Sequence, residues 1–319
     1  MRSRRARRAH APTGSSSPSS FDVEPLGGYS LQESAGFIDA WHEAPSEGGK
    51  TEGHLHLAFL ADGDWTPAGV CLTQGAEGRV HATVYGDAPI GAVRRQTSRI
   101  LSLDVDGRDW PQVGERDPVV GRLQRMFPGF RPVNWSNAYE AAAWCLISSR
   151  ISMRQGQGVK ERMCRELGVS IDIHGHRLYC FPAPEALVQM KSFKGLFGRK
   201  VEYLNALGHA ALAGELDTET LRALPRDESL ERLKWLSGIG EFGSQLIRLR
   251  ALSAVDELPT RERRLLEAIR GAYGFTHEPD IAELESIAER WRPYRMWVAV
   301  CFRRSLAGDA GMMHSRAAC

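Results

Sequence analysis

The sequence holds no Cys-x-x-Cys pair, no apolar run of the roughly 18 or more residues that a spanning helix needs, and no apolar segment near its N-terminus. The first absence removes the ligand spacing of zinc ribbons and iron–sulfur clusters, so no metal site is expected. Cys71, Cys145, Cys164, Cys180, Cys301 and Cys319 stand singly and read as reduced thiols, which behave as small hydrophobes on apolar faces. The other two absences exclude a membrane helix and a secretory leader, which makes a cytoplasmic protein with no membrane partner the expectation. A strong excess of one charge is also missing. The net charge is +2, with five arginines (Arg2, Arg4, Arg5, Arg7, Arg8) crowded into the first twenty residues, so the chain as a whole is not a polycation. Between residues 145 and 200, however, Lys and Arg outnumber Asp and Glu by six, a local surplus suited to phosphate contacts.

What is present is an ordinary globular composition, 42% apolar and 25% charged over 319 residues, enough to bury one large core or two modest ones. Residues 1–20 combine Arg, Ser, Pro and Gly with little to bury and read as a disordered basic arm. From His54 to Tyr85 three apolar stretches (HLHLAFL, AGVCLT, RVHATVY), separated by Asp62-Gly63 and Glu77-Gly78, predict a β-meander, and Val93–Leu103 predicts a helix over it. Residues 21–115 therefore form a small α/β domain. After Pro118 the periodicity is helical, with stripes such as Tyr139, Ala142, Ala143, Leu146 and Ile147, and later helices at 200–213, 228–236, 242–252, 262–273, 281–291 and 293–305. No strand is expected to return across 116–307, and 308–319 reads as a flexible tail. The fold class is α+β.

The most informative stretch is LERLKWLSGIGEFGSQLIRLRAL, residues 230–252. Two short amphipathic helices flank Ser237-Gly238-Ile239-Gly240. Glycines on either side of one apolar residue allow a tight turn whose backbone N–H groups face outward at the start of the second helix, where amides and helix dipole can hold a phosphate while Ile239 plugs into the core.

This stretch resembles the helix-hairpin-helix of the DNA glycosylase superfamily. The resemblance covers about 116–305 through Asn137–Gly168, Gly195–Leu216 and Trp291–Val300, and is closest to bacterial 3-methyladenine-DNA glycosylase II. It implies a monomeric, nucleoid-associated base-excision enzyme for double-stranded DNA, monofunctional and free of an organic cofactor, with a monovalent cation at the hairpin carbonyls. Gly238, Ile239 and Gly240 would anchor a phosphate, helped by Arg150, Arg154, Lys194 and Arg199, with Lys160 and Lys200 as further contacts. Arg150, following Ser149, stands where the resemblance places the residue that fills the gap left by a flipped base. Phe242, Trp291 and Tyr294 would line the pocket for that base, where rings stack on cationic alkylated purines.

Such an enzyme takes the damaged nucleotide out of the stack and stabilises an oxocarbenium-like sugar as the glycosidic bond breaks, which calls for a carboxylate. The family supplies it as Asp in a Pro-x-Asp element past the hairpin. Here, counting from Pro259 reaches Arg261, while counting from Gly240 without a gap reaches Glu262. The choice matters because a cation beside the developing charge would oppose it by about 4 kcal/mol at 4 Å and an effective dielectric of 20, and a carboxylate would favour it by as much. Asp256 and Glu257 precede the proline and read as a solvated loop. Glu262 is the candidate catalytic carboxylate. Its competitor is an ordinary helix-start acid, and with it a non-catalytic damage-binding protein that has lost the family Asp. A bare scaffold for a protein partner is the third reading, distinguished by the salt dependence of DNA binding.

Overall fold

Alternating apolar residues build the first layer. In the computed structural model, which describes residues 19–40 and 53–316, with side chains at 19–39 and 53–306, strands β1 (Ser20–Val23), β2 (Leu55–Leu60), β3 (Pro67–Gln74) and β4 (Val80–Tyr85) form an antiparallel sheet in the order β1-β4-β3-β2. The three meander strands lie where the alternation puts them. Strand β1 was not expected: Ser20, assigned to the basic arm, pairs with Thr83, while residues 1–18 of that arm lie outside the described residues. Helix α1 (Leu31–Ala40) precedes the meander and α2 (Ile90–Ile100) follows it, burying Val93 and Ile100.

Helices α3 (Trp110–Arg116) and α4 (Pro118–Met126) meet at Asp117, whose carboxylate accepts from the Val119 amide as the N-cap of α4. Helix α5 (Ala138–Ser148) is capped by Asn137 and is buried nearly all round, the behaviour of a helix apolar on every side. Its partner α6 (Met153–Leu167) starts from a Ser152/Gln155 capping box.

The expectation of helices alone beyond residue 116 fails at strands β5 (Ser170–Ile173) and β6 (His176–Tyr179), a two-stranded hairpin. Its apolar side, Ile171 and Ile173, packs on the first sheet at Gly69. A Cβ there would stand 2.8 Å from Ile171 Cγ2, so only glycine admits the close approach.

Helices α7 (Pro184–Val188), α8 (Lys200–Leu212), α9 (Thr218–Ala223), α10 (Arg226–Lys234) and α11 (Glu241–Arg250) then complete the middle of the chain. Helices α12 (Arg263–Tyr273), α13 (Ile281–Ala288) and α14 (Arg295–Arg316) close it. The backbone of α14 runs helical to Arg316.

Two cores result, and they do not follow chain order. One joins the sheet, α1–α4 and the returning α12–α14 through Phe59, Val70, Leu265, Trp291 and Trp297. The other joins α5–α11 and the second hairpin through Tyr139, Ile147, Met163, Ile173 and Ile239. Arg99 spans the join, paired to Asp62 at 2.6 Å and to Glu219.

Candidate active site around the helical hairpin

The turn between α10 and α11 is fixed by two different glycines. Gly238 has φ +88°, and a Cβ on it would fall 2.7 Å from both Leu146 Cδ2 and Tyr203 Cδ2, so the turn is pressed onto α5 and α8. Ile239 is buried in the second core. Gly240 is the N-cap of α11, with no side chain capping the helix and nothing within 4 Å of a notional Cβ. The first-turn amides of α11 thus open outward, free of the side-chain oxygen that usually engages them. The one acid in that turn, Glu241, is paired with Lys234 at 3.1 Å.

Helix α5 links this turn to a second feature. Cys145 and Leu146 pack beneath the hairpin, and about one helical turn further the chain reverses at Arg150, which is exposed and held at φ +56° between α5 and α6. A bulky residue in left-handed backbone at an exposed tip is strained. Arg154, Lys194 and Arg199 are exposed on the same stretch, Arg199 resting on the Tyr203 ring and paired with Glu202 at 3.0 Å. Two other expected phosphate contacts are not available. Lys160 is buried against Glu140 at 2.8 Å and over the Trp135 ring. Lys200 is buried, donating to the Ile147 carbonyl at 2.7 Å, where desolvation lowers its pKa. A lysine so placed serves the end of α5, not a ligand.

Between α11 and α12 the chain carries three carboxylates. Asp256 and Glu257, expected in a solvated loop, are engaged: Asp256 takes Arg292 at 2.6 Å and Arg295 at 2.8 Å, and Glu257 takes Arg248 at 2.6 Å. The loop is stitched to the start of α14 by the Met296 amide donating to the Val255 carbonyl at 2.9 Å. Glu262 is the N-cap of α12, its side chain 25% exposed, and its Oε2 lies 3.0 Å from Arg303 Nε. Burial raises its pKa above the ordinary glutamate value. Arg303 and the amides of Arg264 and Leu265 oppose that rise without overcoming it, although the carboxylate makes no formal capping hydrogen bond. Arg261, the other alignment of the family Asp, points its side chain into solvent. Of the two positions, the carboxylate is the one held in a partly desolvated setting, where charge acts most strongly.

The aromatic expectation divides. Phe242 is 53% exposed on the first turn of α11. Trp291 and Tyr294 are core residues, 0% and 3% exposed, which corrects their assignment to a base pocket. Trp291 Nε1 donates to Asp117 Oδ2 and Tyr273 Oη, and Tyr294 Oη donates to the Asp106 carbonyl at 2.6 Å. Their polar edges are already satisfied, and no face is open to a base. The residue that alignment missed is Trp235, 82% exposed at the C-terminal end of α10 beside the hairpin. A large ring left in water next to a phosphate-ready turn was legible only as an apolar residue out of phase with Leu230, Leu233 and Leu236. The cleft between α7 and α8, lined by Val188, Met190, Lys191, Phe193 and Asn205, includes none of the candidate residues.

No model of a known protein family matches the chain. The DNA-3-methyladenine glycosylase of Bacillus subtilis (strain 168) is 21% identical over 210 residues, 65% of this chain and 69% of that protein. DNA-3-methyladenine glycosylase 1 of Schizosaccharomyces pombe is 24% identical over 165 residues, 49% of this chain and 66% of that protein. Among solved structures, the 3-methyladenine DNA glycosylase of Archaeoglobus fulgidus superposes with a TM-score of 0.73 at 20% identity, covering 88% of this chain and 96% of that one. The 8-oxoguanine glycosylase/lyase of Clostridium acetobutylicum, solved with double-stranded DNA, gives 0.65 at 17% identity over 92% and 96%. The chain thus shares the fold of these solved DNA glycosylases and is similar in sequence, at 21–24% identity, to proteins named DNA-3-methyladenine glycosylase.

Proposed function

We propose that the protein is a monofunctional DNA glycosylase that flips a damaged, alkylated base out of duplex DNA and hydrolyses its N-glycosidic bond. The observation that carries this reading is Glu262, a partly desolvated carboxylate at the start of the helix after an uncapped hairpin. In the reaction the bond from sugar C1′ to the base nitrogen breaks, the bonding pair leaves with the base, and positive charge spreads over C1′ and the ring oxygen. The Glu262 carboxylate stabilises that charge. Water then adds to C1′, and its proton passes to the carboxylate or to solvent. An alkylated purine already carries positive charge, so it departs as a neutral base without prior protonation.

Phosphate contacts set the register. The open amides of α11 take a phosphate, Arg154, Lys194 and Arg199 extend the basic face, and Arg150 fills the gap in the stack. The monofunctional part of the reading is supported by the lysine nearest the hairpin. Lys234 is ion-paired to Glu231 and Glu241, and the hydrogen bond it donates to Glu231 leads in raising its pKa, which keeps the amine protonated and a poor nucleophile for a Schiff base. The test is incubation of dimethyl-sulfate-treated duplex with the purified protein, with and without borohydride. Release of free methylated purine with no covalent protein–DNA adduct is expected. An adduct trapped by borohydride would overturn the monofunctional reading, and no release from methylated DNA would overturn the substrate class.

A further inference from the structure

The lack of a Cys-x-x-Cys pair argued against zinc, but the fold assembles a ligand set that sequence spacing conceals. His54 and His56 lie two residues apart and so share one side of the sheet edge, and His56 is directly opposite Cys71 in the β2–β3 register. The turn of the β5–β6 hairpin, packed on this sheet, brings His174 to the same place. One donor atom from each of His54, His56, Cys71 and His174 falls within 4.8 Å of the others, and His54 Nδ1 is 3.2 Å from Cys71 Sγ. Four ligands around a tetrahedral ion at 2.0–2.3 Å stand roughly 3.3–3.8 Å apart, so a modest contraction closes the set.

A second observation points to a ligand. His56 is 2% exposed, yet neither of its ring nitrogens has a hydrogen-bond partner. A buried imidazole left unsatisfied is destabilising, and an ion would engage one of its nitrogens. The outer contacts suit a fixed site as well: Tyr85 Oη lies 3.3 Å from His174 Nε2, and the His176 ring stands 5.8 Å from that of His56.

We propose that His54, His56, Cys71 and His174 bind a structural zinc ion that clasps the N-terminal sheet to the β5–β6 hairpin of the helical half. Three neutral imidazoles and one thiolate form a closed four-coordinate set, and binding displaces the Cys71 thiol proton to solvent. The clasp stands apart from the Glu262 chemistry, and its expected effect is on thermal stability.

The test uses the full chain purified without a polyhistidine tag. Wild type should retain one equivalent of zinc through gel filtration, lose thermal stability on chelation and regain it with zinc. Cobalt substituted for zinc should give the intense visible bands of four-coordinate Co(II) with a thiolate charge-transfer band. Cys71→Ser should lose the charge-transfer band. His174→Asn, chosen because His174 is exposed at φ +50° where asparagine is tolerated, should weaken zinc by at least ~10-fold in a folded protein. Wild type carrying no zinc above the buffer blank and giving no cobalt bands would overturn the proposal. Zinc binding left unchanged in both variants would do the same.

Discussion

Arg303 Nε stands 3.0 Å from Glu262 Oε2, joining the last helix to the N-cap of α12. The pair sets a pH dependence. Glu262 must be ionised to stabilise a cationic sugar, so base release falls as pH drops through its pKa, and burial places that acid limb above the ordinary glutamate range. Arg303 lowers the pKa, so Arg303→Met should raise it further and move the acid limb of kcat/KM to higher pH, with little change on the alkaline side. A limb that stays in place would show that another group controls it.

Gly238 and Gly240 should separate architecture from phosphate binding. Gly238→Ala puts a side chain at φ +88° and within 2.7 Å of Leu146 and Tyr203, for a loss of about 2–4 kcal/mol from backbone strain and overpacking combined. Chemical denaturation measures it. Gly240→Asp enters open space and supplies the missing cap of α11, so stability should hold or rise by a few tenths of a kcal/mol. The same carboxylate faces the phosphate site and should weaken duplex binding by about tenfold or more, an effect of like charge at close range. Unchanged affinity would reduce the hairpin to architecture.

Arg150 pays for its position in strain, and Arg150→Gly removes it. The variant should gain about 1 kcal/mol of stability from the relieved left-handed backbone while losing affinity for abasic-site DNA relative to intact duplex. A variant with wild-type discrimination would exclude Arg150 as the residue that fills the gap.

Trp291 and Phe242 should respond oppositely. Trp291→Ala empties a core site and strips Asp117 of a donor, costing about 3–5 kcal/mol. Phe242→Ala removes an exposed ring, should change stability by less than about 0.5 kcal/mol, and should weaken DNA binding. Thermal unfolding and a binding titration on each variant separate the two roles.

These contrasts show where sequence reasoning reaches. The meander, the helix over it and the glycine hairpin were legible because each depends on local periodicity or on a backbone angle that only certain residues adopt. The β5–β6 hairpin was not, because SIDI and HRLY are too short for alternation to stand out against helical flanks. Lys160 and Lys200 looked like surface cations, since nothing local reveals that Glu140 and the Ile147 carbonyl wait for them. Trp291 and Tyr294 were placed by alignment with relatives, while their burial follows from Asp117 and Asp106, far earlier in the chain. Glu262 could be named from spacing, but its partner Arg303 and its desolvation are properties of the assembled helices α12 and α14.

The most direct test of the account is release of free base from methylated duplex DNA by wild type and Glu262→Gln at matched concentrations, with binding to abasic-site DNA measured alongside. The account predicts release by wild type, its loss in the variant, and equal DNA binding by both; a variant that releases base at the wild-type rate would contradict it.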